Sequence, residues 1–240
     1  MGASKNEPSH AQPTTLLEFL LAFVGENESV RLRAIPPRKR AGSTLKVETT
    51  PKQLAIDAAI LKRLRRLNEG RGLYFVVNSG GDKDKDITRF NAAFCEADNL
   101  SLAEQHALLD AFPLPPSIRV ETKKSVHAYW LFSDECTETD WRDIQLRLIQ
   151  WFKSDSSIKN PSRTMRLPGF NHLSLGDNGE LEFKSVSVVE FHPDRRYTPA
   201  QLKDAFSRLS TLEARSKKSR EMEGPPGQCV SEGGRNQTLT

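Results

Sequence analysis

Two carboxylates, Glu96 and Asp98, stand one residue apart in "FCEADN", where an otherwise apolar stretch ends. Alternate residues of a strand share a face, so Phe90, Ala92, Phe94, Glu96 and Asp98 point one way and Ala93, Cys95 and Ala97 the other. One face thus passes from apolar to doubly acidic. Like charges so placed repel unless a cation sits between them, and hard divalent ions such as Mg²⁺ take all-oxygen ligand sets of this kind. Taken alone, the pair reads more simply as two surface acids at a strand end.

Two further stretches could do chemistry. In "KKSVHAYW" Ser125, His127 and Tyr129 share one strand face, opposite Val126, Ala128 and Trp130, with Lys123 and Lys124 at the preceding turn. A serine and a histidine so placed can donate hydrogen bonds to phosphate oxygens while the lysines supply charge. A lone histidine in an apolar strand is otherwise an ordinary core or surface imidazole. In "KSDSSIKNPSRTMRLPGFNH" Asp155 offers a third carboxylate, and Arg163 and Arg166 lie just before a "LPGFNH" turn. Guanidinium groups bind phosphates in bidentate fashion, so two arginines near carboxylates suit a triphosphate or a nucleic-acid backbone. Either arginine alone is an unremarkable surface residue.

The elements that must position these groups are marked by periodicity and caps. "LLEFLLAFVG" is too short for a membrane span, carries Glu18 and follows Thr14 and Thr15 as candidate N-caps, so it reads as a packed helix. "SVRLRAIPP" alternates Val30, Leu32 and Ala34 as a strand closed by prolines. "TPKQLAIDAAILKRLRRLNEG" reads as one helix from the Thr50 N-cap to Gly70, with Ile56, Ala59, Ile60, Leu64 and Leu67 inward and its arginines outward. "GLYFVVNSGG" is a buried strand entering a glycine loop, "DKDKD" a solvated charge cluster, and "ITRFNAAFCEAD" the next strand. "SLAEQHALLDAF" has a Ser101/Glu104 capping box, "SIRVETKKSVHAYWLF" two strands joined at Lys123-Lys124, and "DWRDIQLRLIQWF" an amphipathic helix with Trp141, Ile144, Leu148 and Trp151 inward. A strand pair in "LEFKSVSVVEF" and a helix opening at "TPAQL" complete the domain.

Strands and helices in this mixed order argue for an α+β layered sheet rather than a doubly wound parallel one. No GxGxxG or GxxxxGK[ST] is present, which leaves a Rossmann turn or P-loop unsupported. Cys95, Cys136 and Cys229 show neither zinc-site nor disulfide spacing, so a reducing cytoplasm is the expectation. The net charge of +4 conceals clusters at residues 31–40, 62–66 and 215–220 that suit a polyanionic partner or, more plainly, solvated faces. Residues 1–13 read as a flexible N-terminus, 14–212 as the folded domain that holds the candidate site and 213–234 as a basic, then Gly/Pro-rich linker. Residues 235–240 read as the start of a truncated C-terminal region.

In their order along the chain, the acidic pair, the SxH before "AYW" and the aspartate ahead of "PSRTMRLPG" resemble the archaeo-eukaryotic primase (AEP) superfamily. More narrowly they are similar to the primase-polymerase domains of phages, plasmids and other mobile elements, over residues 71–172. The resemblance implies an α+β core with an RNA-recognition-like antiparallel sheet beside a smaller α/β unit, the active site in the cleft between them. It implies Glu96 and Asp98 as metal-binding motif I, Ser125 and His127 as nucleotide-binding motif II and Asp155 as the motif III carboxylate. Arg163 and Arg166 match the family's arginine segment, and Asn78 with the "VVNSGG" glycines matches a loop near the cleft. Two departures stand out: glutamate where many members have aspartate first in motif I, and His172-Leu173-Ser174 where many have a lysine.

The implied activity is template-directed DNA priming or polymerisation on two divalent ions, Mg²⁺ or Mn²⁺, held by Glu96, Asp98 and Asp155. Ser125, His127, Lys123, Lys124, Arg163 and Arg166 would hold an NTP or dNTP, and single-stranded template and primer would be the partners. "SEGGRNQTLT" is similar to the opening of the helical domain that often precedes a helicase in such replication proteins. The alternatives are a non-catalytic single-stranded nucleic-acid or origin-binding module and a two-metal nuclease.

Overall fold

The computed structural model describes residues 15–38 and 40–209. The linker and C-terminal readings, Cys229 and the basic run at 215–220 lie outside the described residues, as does the expected domain end at 212.

Two sheets face one another. The first has the order β2-β1-β3-β7, from Leu45–Thr49, Val30–Ile35, Gly72–Val76 and Thr164–Arg166, with every pair antiparallel. The second is built around β6 (Val126–Phe132), which pairs antiparallel with β5 (Ile118–Glu121) on one edge and β4 (Ala92–Cys95) on the other. β10 (Ser187–Phe191) extends β5, and the two-residue β11 (Arg196–Tyr197) runs parallel to β6 where β5 ends. A separate hairpin, β8 (Asn171–Leu175) with β9 (Leu181–Ser185), stands beside β3. The architecture is the expected α+β one.

The facing sides are apolar because strand alternation presents Phe75 from the first sheet and Phe94, Ile118 and Tyr129 from the second. α1 (Leu16–Leu21) adds Phe19 and, just past its end, Phe23, whose rings lie 5.2 Å from Phe75 in edge or near-edge contacts. Of the two candidate N-caps it is Thr15 that starts this helix, and it forms a capping box with Glu18. On the far side of the second sheet pack α4 (Leu102–Ala111) and α5 (Glu138–Phe152). Trp141 on α5 donates its indole N–H to the Ala92 carbonyl at 3.0 Å. Gln145, fully buried, bonds both the N–H and the C=O of Phe94, so α5 also satisfies the outer edge of β4. A further helical run, residues 199–209, contributes Phe206 against Phe112.

Four expectations need correction. The long helix is two, α2 (Pro51–Ile56) and α3 (Ala58–Asn68), because Asp57 leaves helical space at φ −111°, ψ 93° and caps α3 through its side chain to the Ala59 N–H. The break turns Ile56 out to 76% exposure and Ala59 is exposed as well, so neither is an inward residue. β2, unforeseen, is the hairpin partner of β1. The strands of "LEFKSVSVVEF" do not pair with each other, since β9 joins β8 and β10 joins β5. "DKDKD" is not simply solvated: Asp82 pairs with Arg33 and Lys46, and the Asp84 carboxylate accepts from the Ser162 N–H and hydroxyl.

Candidate active site

β4 ends at Cys95, and the chain leaves it with Glu96 still on the face of Phe94. Register sets His127 beside it, because Phe94 pairs with Tyr129 and the next residue on that face in each strand is Glu96 or His127. His127 Nε2 lies 3.0 Å from a Glu96 carboxylate oxygen, with both side chains largely buried. The other oxygen of Glu96 takes a 3.2 Å contact from Arg163, which enters from the residue before β7. Burial would raise the Glu96 carboxyl, but the hydrogen bond and charge of His127 and the Arg163 guanidinium outweigh it and hold it at about 2. Glu96 is therefore an anion throughout the physiological range.

These groups line a cavity of about 580 Å³ between the two sheets. Five lysine or arginine side chains (Arg38, Lys123, Lys124, Arg163 and Arg166) face it against two carboxylates, Glu96 and Asp98, so the cavity suits a polyanion with a small acidic pole. Ser125 is buried at its wall, its hydroxyl 3.2 Å from that of Thr122. Lys123 is committed to Glu182 and, at 3.0 Å, to Ser174, whereas Lys124 is exposed with no ion pair among the described residues. Arg166 lies over the Tyr74 ring, its guanidinium carbon 4.8 Å from the centroid, and donates to His172 Nε2 at 2.9 Å. Burial first, then the charges of Arg166 and Lys123, hold His172 down at about 4, so at neutral pH it is an acceptor. Gly72 makes room for this stack, since a Cβ there would lie 2.9 Å from Arg166 Nη1.

The placement of the expected site residues is uneven. Glu96, Asp98, Lys123, Lys124, Ser125, His127, Arg163 and Arg166 share the one cavity. Asp155 does not line it: it caps the 3₁₀ turn Ser156–Lys159, accepting from the Ser157 N–H at 2.8 Å, and it reaches the site only through Arg163, 3.9 Å away. Asn78 is a structural residue instead of a cleft residue. Its buried amide donates to the Pro161 carbonyl and accepts from the Asn91 N–H, both at 3.0 Å, tying the "VVNSGG" loop to β4. Tyr74, Gly72, Arg38 and His172 went unassigned as site residues; alternation along "GLYFV" marks Gly72 and Tyr74 as one face, but nothing local says which face looks into the cavity.

Whether these acids suit a divalent cation can be tested on the donor set. Glu96 and Asp98 are hard oxygen donors, and Glu96 is ionised, as a ligand must be. Among the described residues, however, no three His, Cys, Asp or Glu side chains are gathered closely enough to hold an ion, so the expected three-acid cluster is not formed. The reason is visible: the Arg163 guanidinium occupies the space between Glu96 and Asp155 and supplies the positive charge that two converging carboxylates require. The residues fit a cation in kind, with Arg163 standing in for it.

Solved structures sharing this fold are primases and primase-polymerases. The AEP domain of the cyanophage S-2L primase-polymerase (PrimPol) is 31% identical with a TM-score of 0.64, the match covering 80% of this chain and 96% of that one. Primase RepB′ matches with a TM-score of 0.57 at 16% identity, over 87% of this chain and 67% of that one, and so shows the fold alone. The catalytic domain of RepB′, solved in complex with initiator DNA, matches with a TM-score of 0.56 at 16% identity, over 83% of this chain and 96% of that one. No protein-family model and no curated protein matches the chain. The chain belongs to the AEP primase-polymerase family. None of the described helices is long and apolar enough to cross a membrane.

Proposed function

We propose that this chain is a template-directed DNA primase-polymerase that transfers a nucleotidyl group to a 3′-hydroxyl, acting in the replication of a phage or other mobile element. The observation that carries the reading is the ionised Glu96, held between His127 and Arg163 at the acidic pole of a cavity whose remaining charge is positive. Lys124, Arg166 and the Ser125/His127 edge would receive the triphosphate, and Arg163 would turn from Glu96 to the phosphates as they arrive. Glu96 and Asp98, with Asp155 once Arg163 has left, would hold the Mg²⁺ or Mn²⁺ ions. Bound there, such ions would favour ionisation of the attacking hydroxyl and neutralise the departing pyrophosphate. Single-stranded template and primer would be the macromolecular partners, and a C-terminal helical or helicase region of the same parent chain a further one.

A template-primer incubated with labelled nucleotides and Mg²⁺ or Mn²⁺ tests the reading. Longer products are expected from the native protein and none from Asp98→Ala, which should still bind template. Extension by Asp98→Ala at the native rate would remove Asp98 from the site; shorter products would indicate a nuclease, and unchanged DNA in the native reaction a binding module.

A further inference from the structure

The β8–β9 hairpin is a wall with two sides. Its register puts His172, Ser174, Glu182 and Lys184 on one face, where His172 meets Arg166 and Glu182 meets Lys123 of the cavity just described. On the other face are Asn171, Leu173, Phe183 and Ser185, and here a second groove of about 390 Å³ opens between the hairpin and the end of α3. Phe170 forms part of its floor, and Phe183, 52% exposed, stands at its edge beside Arg65. The wall is anchored: the Asn68 side chain accepts from the Asn171 N–H at 2.7 Å and donates to its carbonyl at 3.0 Å.

The charge of α3 is unusual for this molecule. Its exposed Lys62, Arg63, Arg65 and Arg66 have no ion pair among the described residues. On α5, by contrast, Arg142 and Arg147 are each matched to an acid four residues away. The helix dipole accounts for cations in the last turn of α3, but not for like charges at Lys62 and Arg66, which repel at that spacing, nor for the exposed phenylalanine that shares the groove with Arg65. Among the described residues, Glu69 is the single carboxylate lining the groove.

Unpaired cations along a helix, with an exposed aromatic ring at a groove edge, are what a single strand requires: charges for its phosphates and a flat surface for an unstacked base. We propose that the α3/hairpin groove is a track for single-stranded nucleic acid, with a base stacking on Phe183 and phosphates meeting Arg65 in the groove and Lys62 and Arg66 on the adjoining exposed side of α3. It rests on the template reading above and extends it, carrying the strand over the hairpin from the nucleotide cavity. A duplex has no free base to offer Phe183, so the track favours unpaired strands.

The test is equilibrium binding of a fluorescent oligo(dT) of about 16 nucleotides, followed by anisotropy over a salt series, with a duplex of equal length as a second probe. Phe183→Ala should weaken single-strand binding roughly 5- to 150-fold, the range measured for losing one stacked base, while Phe183→Trp should retain it. Replacing Arg65 and Arg66 together by Ala should make the log–log salt slope shallower by about 1.4, the value for two lost phosphate contacts; Arg142→Ala on α5 should change neither quantity. Single-strand affinity of Phe183→Ala within twofold of native, a loss confined to duplex, or an unchanged salt slope would each overturn the track. Primer extension is scored separately. Failure of the native protein to extend, with these binding losses present, would remove the polymerase reading and leave the track in place; native extension with unaltered binding by the variants would do the reverse.

Discussion

Glu96→Gln isolates the electrostatics of the site, because it keeps side-chain shape and removes only the charge facing His127 and Arg163. The Glu96 carboxyl is depressed from 4.5 to about 2 by partners that exist only in the folded chain. At about 1.36 kcal/mol for each tenfold, that difference corresponds to about 3 kcal/mol of folding stability at pH 7. The unfolded chain binds the proton more readily, so the contribution is complete above the unfolded value and is lost as pH falls through the folded one. The gap between native and variant should therefore narrow from about 3 kcal/mol at pH 7 to less than half of that at pH 3. Urea unfolding of both proteins at a series of pH values measures it, and acids not coupled to Glu96 cancel in the difference. A gap under about 1 kcal/mol at pH 7, or one that does not change with pH, would refute the account of Glu96 as a buried anion held by His127 and Arg163.

Other consequences follow from the same coordinates. Arg163→Gln removes the guanidinium between Glu96 and Asp155, so Mn²⁺ should bind about tenfold more tightly without nucleotide, read from the free-ion EPR signal; equal affinity would deny Arg163 its stand-in role. Gly80 has φ +129°, and a Cβ there would collide with the Asp86 carbonyl oxygen and the Thr88 nitrogen. Gly80→Ala should cost over about 2 kcal/mol, lowering Tm by several degrees, and an unshifted Tm would contradict this loop geometry. Gln145→Leu strips the Phe94 N–H and C=O of their α5 partner inside the core, for an expected loss of about 2–3 kcal/mol in chemical denaturation. A neutral result would mean that those backbone groups find other partners.

What was legible in the chain was whatever depends on neighbours in sequence. Capping boxes at Thr15, Thr50 and Ser101 and the hairpin at Lys123-Lys124 lie where local patterns put them. Alternation also placed Glu96 on the Phe94 face and Ser125, His127 and Tyr129 on another, and antiparallel pairing then made the two faces one. Long-range choices were not legible. The apolar period continues through Asp57, so only the Asp57 backbone reveals that α2 and α3 are separate. β9 and β10 are consecutive strands joined through a single residue, Val186, yet that buried residue sends them to different partners. Asn78 has the composition of a loop near a ligand, but its amide is consumed by Pro161 and Asn91, which are distant in sequence or folded back on it. The Arg163 position between two acids is likewise a tertiary distance that no spacing encodes.

A two-stranded hairpin is at best marginally stable by itself, so the order of β8 and β9 must come from what holds them. Three ties do so: Asn68 to Asn171 at the start, His172 to Arg166 next to it, and Lys123 to Ser174 and Glu182 toward the tip. Two of the three use cations that also line the cavity between the sheets. A polyphosphate bound there, as proposed above, would compete with His172 and Glu182 for Arg166 and Lys123, and so would loosen the wall on the side away from α3. The Asn68–Asn171 tie carries no charge and is untouched by that competition, so the hairpin can shift at its tip while its root stays fixed to α3. On the proposed reading, occupation of that cavity would be felt in the groove behind the hairpin through four side chains, Arg166, Lys123, His172 and Glu182.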